Sequence, residues 1–251
     1  MPHPEQLVLV DRADATATVT LHRPDALNAL TADMLSQLGD VLEELGADRS
    51  VAVVVLTGAG RAFSAGVDLK SLGGMPLVDG TVGAVLDDPA RRAIAAITGM
   101  PKVVIAKVNG ACFTGALELA LACDLMAVAS EAKMGDTHAK WGLRPTWGMS
   151  QRLGRAVGPA RARLLSYTAR TFTGADALAW GMAALAVPGA ELDAAVEALA
   201  GEVAACSPGS LAAYKDLYRR SGDLGLSEGV AYEAATTYPI TDSESRVAAF
   251  R

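Results

Sequence analysis

From Val103 the chain reads Val-Val-Ile-Ala-Lys-Val, then Asn109-Gly110, then Ala-Cys-Phe-Thr-Gly115-Ala-Leu-Glu118-Leu-Ala-Leu-Ala-Cys-Asp124, then Leu-Met-Ala-Val-Ala. The first six residues are mostly apolar and β-branched, the signature of a buried strand, and Asn-Gly marks the sharp turn that ends it. An apolar helix follows from about Gly115, and a second buried strand opens at Leu125. The amide of Gly115 belongs to the unpaired donors of a helix N-terminus, and without a Cβ the residue lets a ligand oxygen come close. Glu118 stands one turn along, with no cation near it in sequence. A carboxylate is costly to bury there, so it is either a first-turn partner of the helix dipole or a catalytic acid or base.

A second stretch has the same character. Val51 to Thr57 is a continuous apolar strand followed by Gly58-Ala-Gly60-Arg-Ala-Phe63-Ser64-Ala65-Gly66-Val67-Asp68-Leu69-Lys70, whose small residues leave backbone amides exposed at a strand end. Two such loops converging on one oxygen make an oxyanion hole built from main-chain donors. Thr31 caps a helix whose apolar positions run from Met34 to Leu45, so this region is a β-α-β crossover. With the strands from Val103 and Leu125 it forms a repeated pattern, which places the fold in the α/β class.

Around this core, Gln6 to Val10 and Thr16 to Leu21 read as a hairpin. Gly73 to Asp88 reads as an irregular loop flanking the site and passing into a helix through Arg91, Arg92, Ile94 and Ile97. Met75, Leu77, Val82, Val85 and Leu86 would line an apolar pocket there or simply pack on the helix. Beyond Ser150 helices dominate. Thr173 caps Gly174 to Trp180 with Gly181 as the stop, and Glu191 to Ala204, Leu211 to Arg220 and Leu226 to Tyr238 are further helical patterns.

Composition narrows the class. The chain of 251 residues is 51% hydrophobic and 20% charged, which describes a soluble globular protein. A net charge of −6 gives no basic field for a nucleic-acid backbone. The three cysteines, Cys112, Cys123 and Cys206, lack metal-ligand spacing and fit a reducing, cytoplasmic compartment. No cationic start with an apolar h-region is present, and no apolar run is long enough to span a bilayer, so neither export nor membrane insertion is expected. No His/Cys/Asp/Glu cluster suggests a metal. Ser64 is not in a Gly-x-Ser-x-Gly context, and Phe63 replaces the third glycine of a dinucleotide fingerprint.

Phe63-Ser-Ala-Gly-Val-Asp-Leu-Lys70, Val108-Asn-Gly110 and Glu118-Leu-Ala-Leu-Ala-Cys-Asp124, in this order and spacing, resemble the crotonase, or enoyl-CoA hydratase/isomerase, superfamily. The resemblance implies a crotonase-like fold of repeated ββα units in an N-terminal core, residues 1–190, with a C-terminal helical region, 191–251, that mediates trimer contacts. It implies an acyl-CoA substrate that carries coenzyme A, no permanently bound cofactor, and a homotrimer or dimer of trimers. Carried over by motif position, Val67 and Gly115 are the oxyanion donors, and Glu118 and His138 the acid–base pair, His138 standing where the family's hydratases have a second glutamate. Asp136 either orients that imidazole or serves as an alternative carboxylate. Arg23, Ala65, Asp68, Leu69 and Lys70 neighbour coenzyme A, although Asp68 also reads as a helix cap. Met75, Leu77, Val85, Trp141 and Trp147 line the acyl pocket, with Thr146 and Trp147 narrowing it where the family usually has glycine. The implied reaction is reversible hydration of a 2-enoyl-CoA. The alternatives are isomerisation, decarboxylation or hydrolysis through the same enolate, or acyl-CoA binding without catalysis.

Overall fold

The computed structural model describes residues 6–71 and 77–249. Strands β1 (Val8–Ala13) and β2 (Thr16–Leu21) pair antiparallel, and the register runs out to Ala13 opposite Thr16. The first strand therefore lies later than its apolar run suggests. Backbone pairing needs no apolar side chain, and the polar end of β1 is exposed, with Arg12 paired to Asp48 and Glu44.

The first helix, α1 (Ala32–Ala47), is capped by the Thr31 hydroxyl, which accepts the Met34 amide at 3.2 Å. After it come β3 (Val53–Gly58), β4 (Ala62–Ser64) and α2 (Ala84–Gly99). This second helix begins inside the region expected to be loop. Asp87-Asp88-Pro89 reads as a breaker, but Leu86, Ala90, Ala93, Ile94 and Ile97 are all buried, and burial of that stripe against α1 holds the helix in register through Pro89. Next come β5 (Val103–Val108), β6 (Ala111–Phe113), α3 (Gly115–Ala122), β7 (Leu125–Ala129), β8 (Lys133–Gly135) and α4 (Met149–Val157). The rest is α5 (Pro159–Thr168), β9 (Thr171–Thr173), α6 (Gly174–Ala179), β10 (Leu185–Val187), α7 (Leu192–Ala204), α8 (Pro208–Ser221), α9 (Leu226–Ala235) and α10 (Ser243–Ala249).

Among the described residues the strands form two sheets, one of six in the order β1-β2-β3-β5-β7-β10 and one of four in the order β4-β6-β8-β9. The ββα repeat explains the division. From β3 to β8 each unit gives its first strand to the large sheet and its second to the small one, and β9 and β10 then extend the small and the large sheet in turn. The crossing between them is tight: a Cβ on Gly110 would stand 2.2 Å from the Arg61 carbonyl oxygen, so only glycine passes there. Asn109 ties the neighbouring turn, donating to the carbonyls of Gly58 at 2.9 Å and Gly60 at 2.8 Å.

Because β4, β6 and β8 are parallel neighbours, their C-terminal ends at Ser64, Phe113 and Gly135 lie along one edge of the small sheet. The segments leaving that edge carry Val67, Gly115 and His138. Topology thus gathers residues from three separate stretches of sequence.

In the C-terminal half, α7 packs on the large sheet, and its Leu192, Val196 and Ala200 belong to the core. The helices α8 to α10 bury only Ala213 among their described residues. Among the described residues of the expected helical region, 191–251, α7 lies on the core, α8 touches it through Leu211 and buries Ala213, and α9 and α10 bury no residue. Among the described residues no helix is long and apolar enough to cross a membrane.

Candidate active site

A cavity of about 500 Å³ opens at the edge where the three strands end, and Val67, Gly115, Glu118, His138 and Trp147 all line it. Val67 is held by a short parallel bridge to Leu30, with the Leu30 amide donating to the Gly66 carbonyl at 2.8 Å and the Asp68 amide to the Leu30 carbonyl at 2.9 Å. Gly66 turns the chain with a φ of +92°, and a Cβ there would meet the Phe113 carbonyl oxygen at 2.7 Å.

On the other loop, Thr114 has a φ of 54° and a ψ of −114°, a strained conformation for a β-branched residue. Its amide donates to the Gly135 carbonyl at 2.9 Å and its hydroxyl meets that of Thr137 at 2.7 Å, contacts that hold the strain in place just before Gly115. Among the described residues neither the Val67 nor the Gly115 amide donates to another protein group.

Glu118 is 1% exposed. Its Oε1 accepts the amides of Trp147 at 3.1 Å and Met149 at 2.8 Å, so the carboxylate meets the N-terminus of α4. Burial pushes its pKa up, and those two amides and the facing His138 only partly offset the rise. Its Oε2 lies 3.5 Å from His138 Nε2.

The other ring nitrogen of His138, Nδ1, is 2.7 Å from Asp136 Oδ1, and Asp136 Oδ2 accepts the Ser166 hydroxyl of α5 at 2.6 Å. Burial alone would raise the Asp136 pKa, but the bonds from His138 and Ser166 outweigh it and hold the carboxyl below its usual range. An ionised carboxylate only accepts, which assigns a proton to Nδ1 and leaves Nε2 as the nitrogen that exchanges a proton on the Glu118 side. Asp136 thus orients the imidazole. The group can move a proton between two facing atoms beside two uncommitted amide donors.

The sequence profile of the enoyl-CoA hydratase/isomerase family matches residues 11–250. The chain belongs to that family. It is 32% identical over 248 residues to a probable enoyl-CoA hydratase of Mycobacterium tuberculosis, covering 98% of this chain and 95% of that one. A probable enoyl-CoA hydratase of Rhizobium meliloti is 35% identical over 249 residues, with coverage of 98% and 95%. Among solved structures, an enoyl-CoA hydratase from Bacillus anthracis superposes with a TM-score of 0.86 at 30% identity, over 91% of this chain and 88% of that one. The crotonase-like α/β fold is therefore that of this enoyl-CoA hydratase/isomerase family member.

The remaining sequence-predicted residues divide. Arg23, Ala65, Asp68, Leu69 and Lys70 all line the cavity. Arg23 is already engaged, with Nη1 donating to the Ala29 carbonyl at 2.6 Å and pairing with Asp68 at 3.1 Å. Asp68 also accepts the amides of Lys70 at 3.1 Å and Ser71 at 3.3 Å; these bonds close a turn, and among the described residues no helix begins there for it to cap. Trp147 is a buried wall of the cavity, while Trp141 lies at its rim, 56% exposed. Leu77 and Val85 are exposed and outside the lining, and Leu86 is buried in the core; Val82 lines the cavity as expected, and Leu143 joins it. The early start of α2 puts Val85 on that helix's outer face. Met75 lies outside the described residues.

Four contributors escape a reading of the sequence: Asp87, Thr137, Ser166 and Arg144. Asp87 accepts the Thr146 hydroxyl and the Trp147 indole N–H, both at 2.7 Å. Arg144 adds a cation to the cavity lining. Thr137 and Arg144 lie beside His138 and Trp147 in sequence, whereas Asp87 and Ser166 reach the site from distant segments.

Proposed function

We propose that the protein is an enoyl-CoA hydratase, adding water reversibly to a 2-enoyl-CoA. The observation that carries this reading is the facing pair of Glu118 Oε2 and His138 Nε2, 3.5 Å apart in a cavity shared with the amides of Val67 and Gly115. In this reading the thioester oxygen accepts from those two amides, and a water sits between the carboxyl and the imidazole. One member of the pair takes a proton from the water, whose oxygen bonds to C3 of the enoyl group. The C2=C3 electron pair moves onto the thioester oxygen as an enolate, which the two amides stabilise; each such donor is worth about 2.7–4 kcal/mol in a water-excluded site. C2 then takes a proton from the other member, and the reverse sequence expels water.

Arg23, Ala65, Leu69 and Lys70 are proposed to border the coenzyme A portion of the substrate. The charge balance of the pair supports catalysis over simple binding. Asp136 together with the imidazole carries the charge of one carboxylate, negative when Nε2 is bare and neutral when it is protonated. The chain therefore needs no second glutamate. Exposed apolar side chains on α8 to α10, including Tyr218, Leu226 and Val230, support assembly of the C-terminal region, 191–251, into a homotrimer or dimer of trimers. A cytoplasmic location belongs to the same proposal.

The test is a set of enoyl-CoA thioesters incubated with the protein and the products identified by mass. Gain of one water, falling by at least ~10²-fold in Glu118→Gln and in His138→Ala, is the expected result. Affinity for thioesters with no product, or a product of unchanged mass, would overturn it.

A further inference from the structure

Every polar atom of Trp147 is engaged. Its amide donates to Glu118 at 3.1 Å, its carbonyl accepts from Arg152 Nη1 at 2.8 Å, and its indole Nε1–H donates to Asp87 Oδ1 at 2.7 Å. Asp87 is itself 4% exposed, on α2, and takes the hydroxyl of Thr146 on the same oxygen. The ring is therefore fixed at both ends, main chain and indole nitrogen, by partners on different elements.

Where this ring lies is the consequential point. A Cβ added to Gly115 would stand 2.5 Å from Trp147 Cζ3, so the six-membered ring rests directly on Gly115. That is one of the two residues proposed to hold the thioester oxygen. An acyl chain leaving that oxygen past Glu118 meets an aromatic surface at once. A leucine or methionine there would change rotamer to admit a longer chain. An indole bonded to a buried carboxylate cannot swing aside without leaving its own N–H unpaired and taking from Asp87 one of its donors, a cost beyond simple repacking.

We propose that Trp147, pinned by Asp87, is the fixed end wall of the acyl pocket and restricts the protein to short-chain acyl-CoA thioesters. The inference rests on the acyl-CoA reading above and names its substrate class. Trp147 is the specificity-determining residue and Asp87 a positioning residue that acts through it. A second consequence follows from the amide of the same tryptophan. A chain long enough to push the ring also disturbs a donor to Glu118, so long substrates lose turnover as well as affinity.

The experiment is calorimetric binding of butyryl-, hexanoyl- and decanoyl-CoA, with free coenzyme A as reference, to wild type, Trp147→Leu, Asp87→Ala and Asp87→Asn. Thermal melting checks that each variant is folded. Turnover of the matching 2-enoyl thioesters is measured alongside. Wild type is expected to prefer butyryl- over decanoyl-CoA by at least about tenfold, the scale on which apolar pockets separate chain lengths. Trp147→Leu removes or inverts that preference. Asp87→Ala shifts it the same way, while Asp87→Asn, whose amide oxygen accepts from both donors, retains it; that rescue separates positioning from mere structural damage. Should Trp147→Leu fail to fold, the Asp87 pair still decides. Equal affinity of wild type for all lengths, or an unchanged preference in the folded Trp147→Leu and Asp87→Ala variants, overturns the wall and leaves the functional reading standing. Failure of wild type to bind butyryl-CoA overturns both.

Discussion

His138 presents Nε2 to Glu118 because its Nδ1 is held 2.7 Å from Asp136 Oδ1. Asp136 is fixed in turn by the Ser166 hydroxyl, so two residues, one after β8 and one on α5, set the orientation of the ring. Asp136→Asn removes the charge that balances an imidazolium and allows the wrong tautomer. Turnover is expected to fall by about 10²–10⁴-fold while KM for the thioester changes little. Ser166→Ala, which leaves the carboxylate in place, falls less. Steady-state kinetics of the two variants check the order; equal losses, or a loss confined to KM, would contradict it.

Glu118 sets activity against stability. Its pKa is raised because burial disfavours the ionised form, so folding favours the protonated carboxyl. The sign follows: this contribution is complete below the unfolded value of about 4.3, and it is lost as pH rises through the higher folded value. Glutamine keeps an acceptor for the Trp147 and Met149 amides and never ionises. Glu118→Gln is expected to melt at the same temperature as wild type in acid and above it at pH 8, while losing activity. A wild type that melts higher at pH 8 than this variant would show the carboxylate to be stabilising instead.

Much of this architecture is legible from local pattern. Continuous apolar runs place β3, β5 and β7, the Thr31 and Thr173 caps place α1 and α6, and motif order brings Val67, Gly115, Glu118 and His138 to one cavity. What escapes is long-range or locally contradictory. The bond from Trp147 to Asp87 spans 60 residues, and Asp87 sits in a stretch that reads as a breaker until α2 is seen packed on α1. Ser166 reaches Asp136 across 30 residues with no pattern to announce it. Thr114 holds a positive φ that its β-branched side chain argues against, a strain tolerated because Gly135 and Thr137 fix it. Val85 and Leu77 failed as lining residues because hydrophobicity alone does not say which face of a helix or loop turns inward.

Lys215 fastens α8 to the core. Its ammonium donates to the carbonyls of Ile97 and Lys102, both at 2.7 Å, and to Asp124 Oδ2 at 2.8 Å. Burial raises the pKa of Asp124, and Lys215 is the chief influence opposing that rise. Lys215→Met leaves that carboxylate without a cation, held by backbone amides such as that of Val104 at 2.8 Å. A loss of about 1–3 kcal/mol is expected, the scale for removing hydrogen bonds to charged groups, because Asp124 keeps part of its side chain in solvent. The double variant Lys215→Met, Asp124→Asn recovers part of it, and a thermodynamic cycle in denaturant measures the coupling. Strict additivity of the two changes would mean that the pair does not act as a unit.

Gly115→Ala tests how closely the proposed oxyanion donor and the pocket wall are packed. The new methyl would fall 2.5 Å from Trp147 Cζ3, and the ring cannot retreat without breaking the Asp87 bond. Overpacking of this kind costs about 1–3 kcal/mol, so the variant is expected to fold with a lowered melting temperature. Its turnover should fall further than its stability suggests, because displacing the ring also disturbs the amide that Trp147 donates to Glu118. Combining Gly115→Ala with Trp147→Leu gives the methyl room and should restore the melting temperature. Failure of the double variant to recover stability would place the clash elsewhere than on the indole.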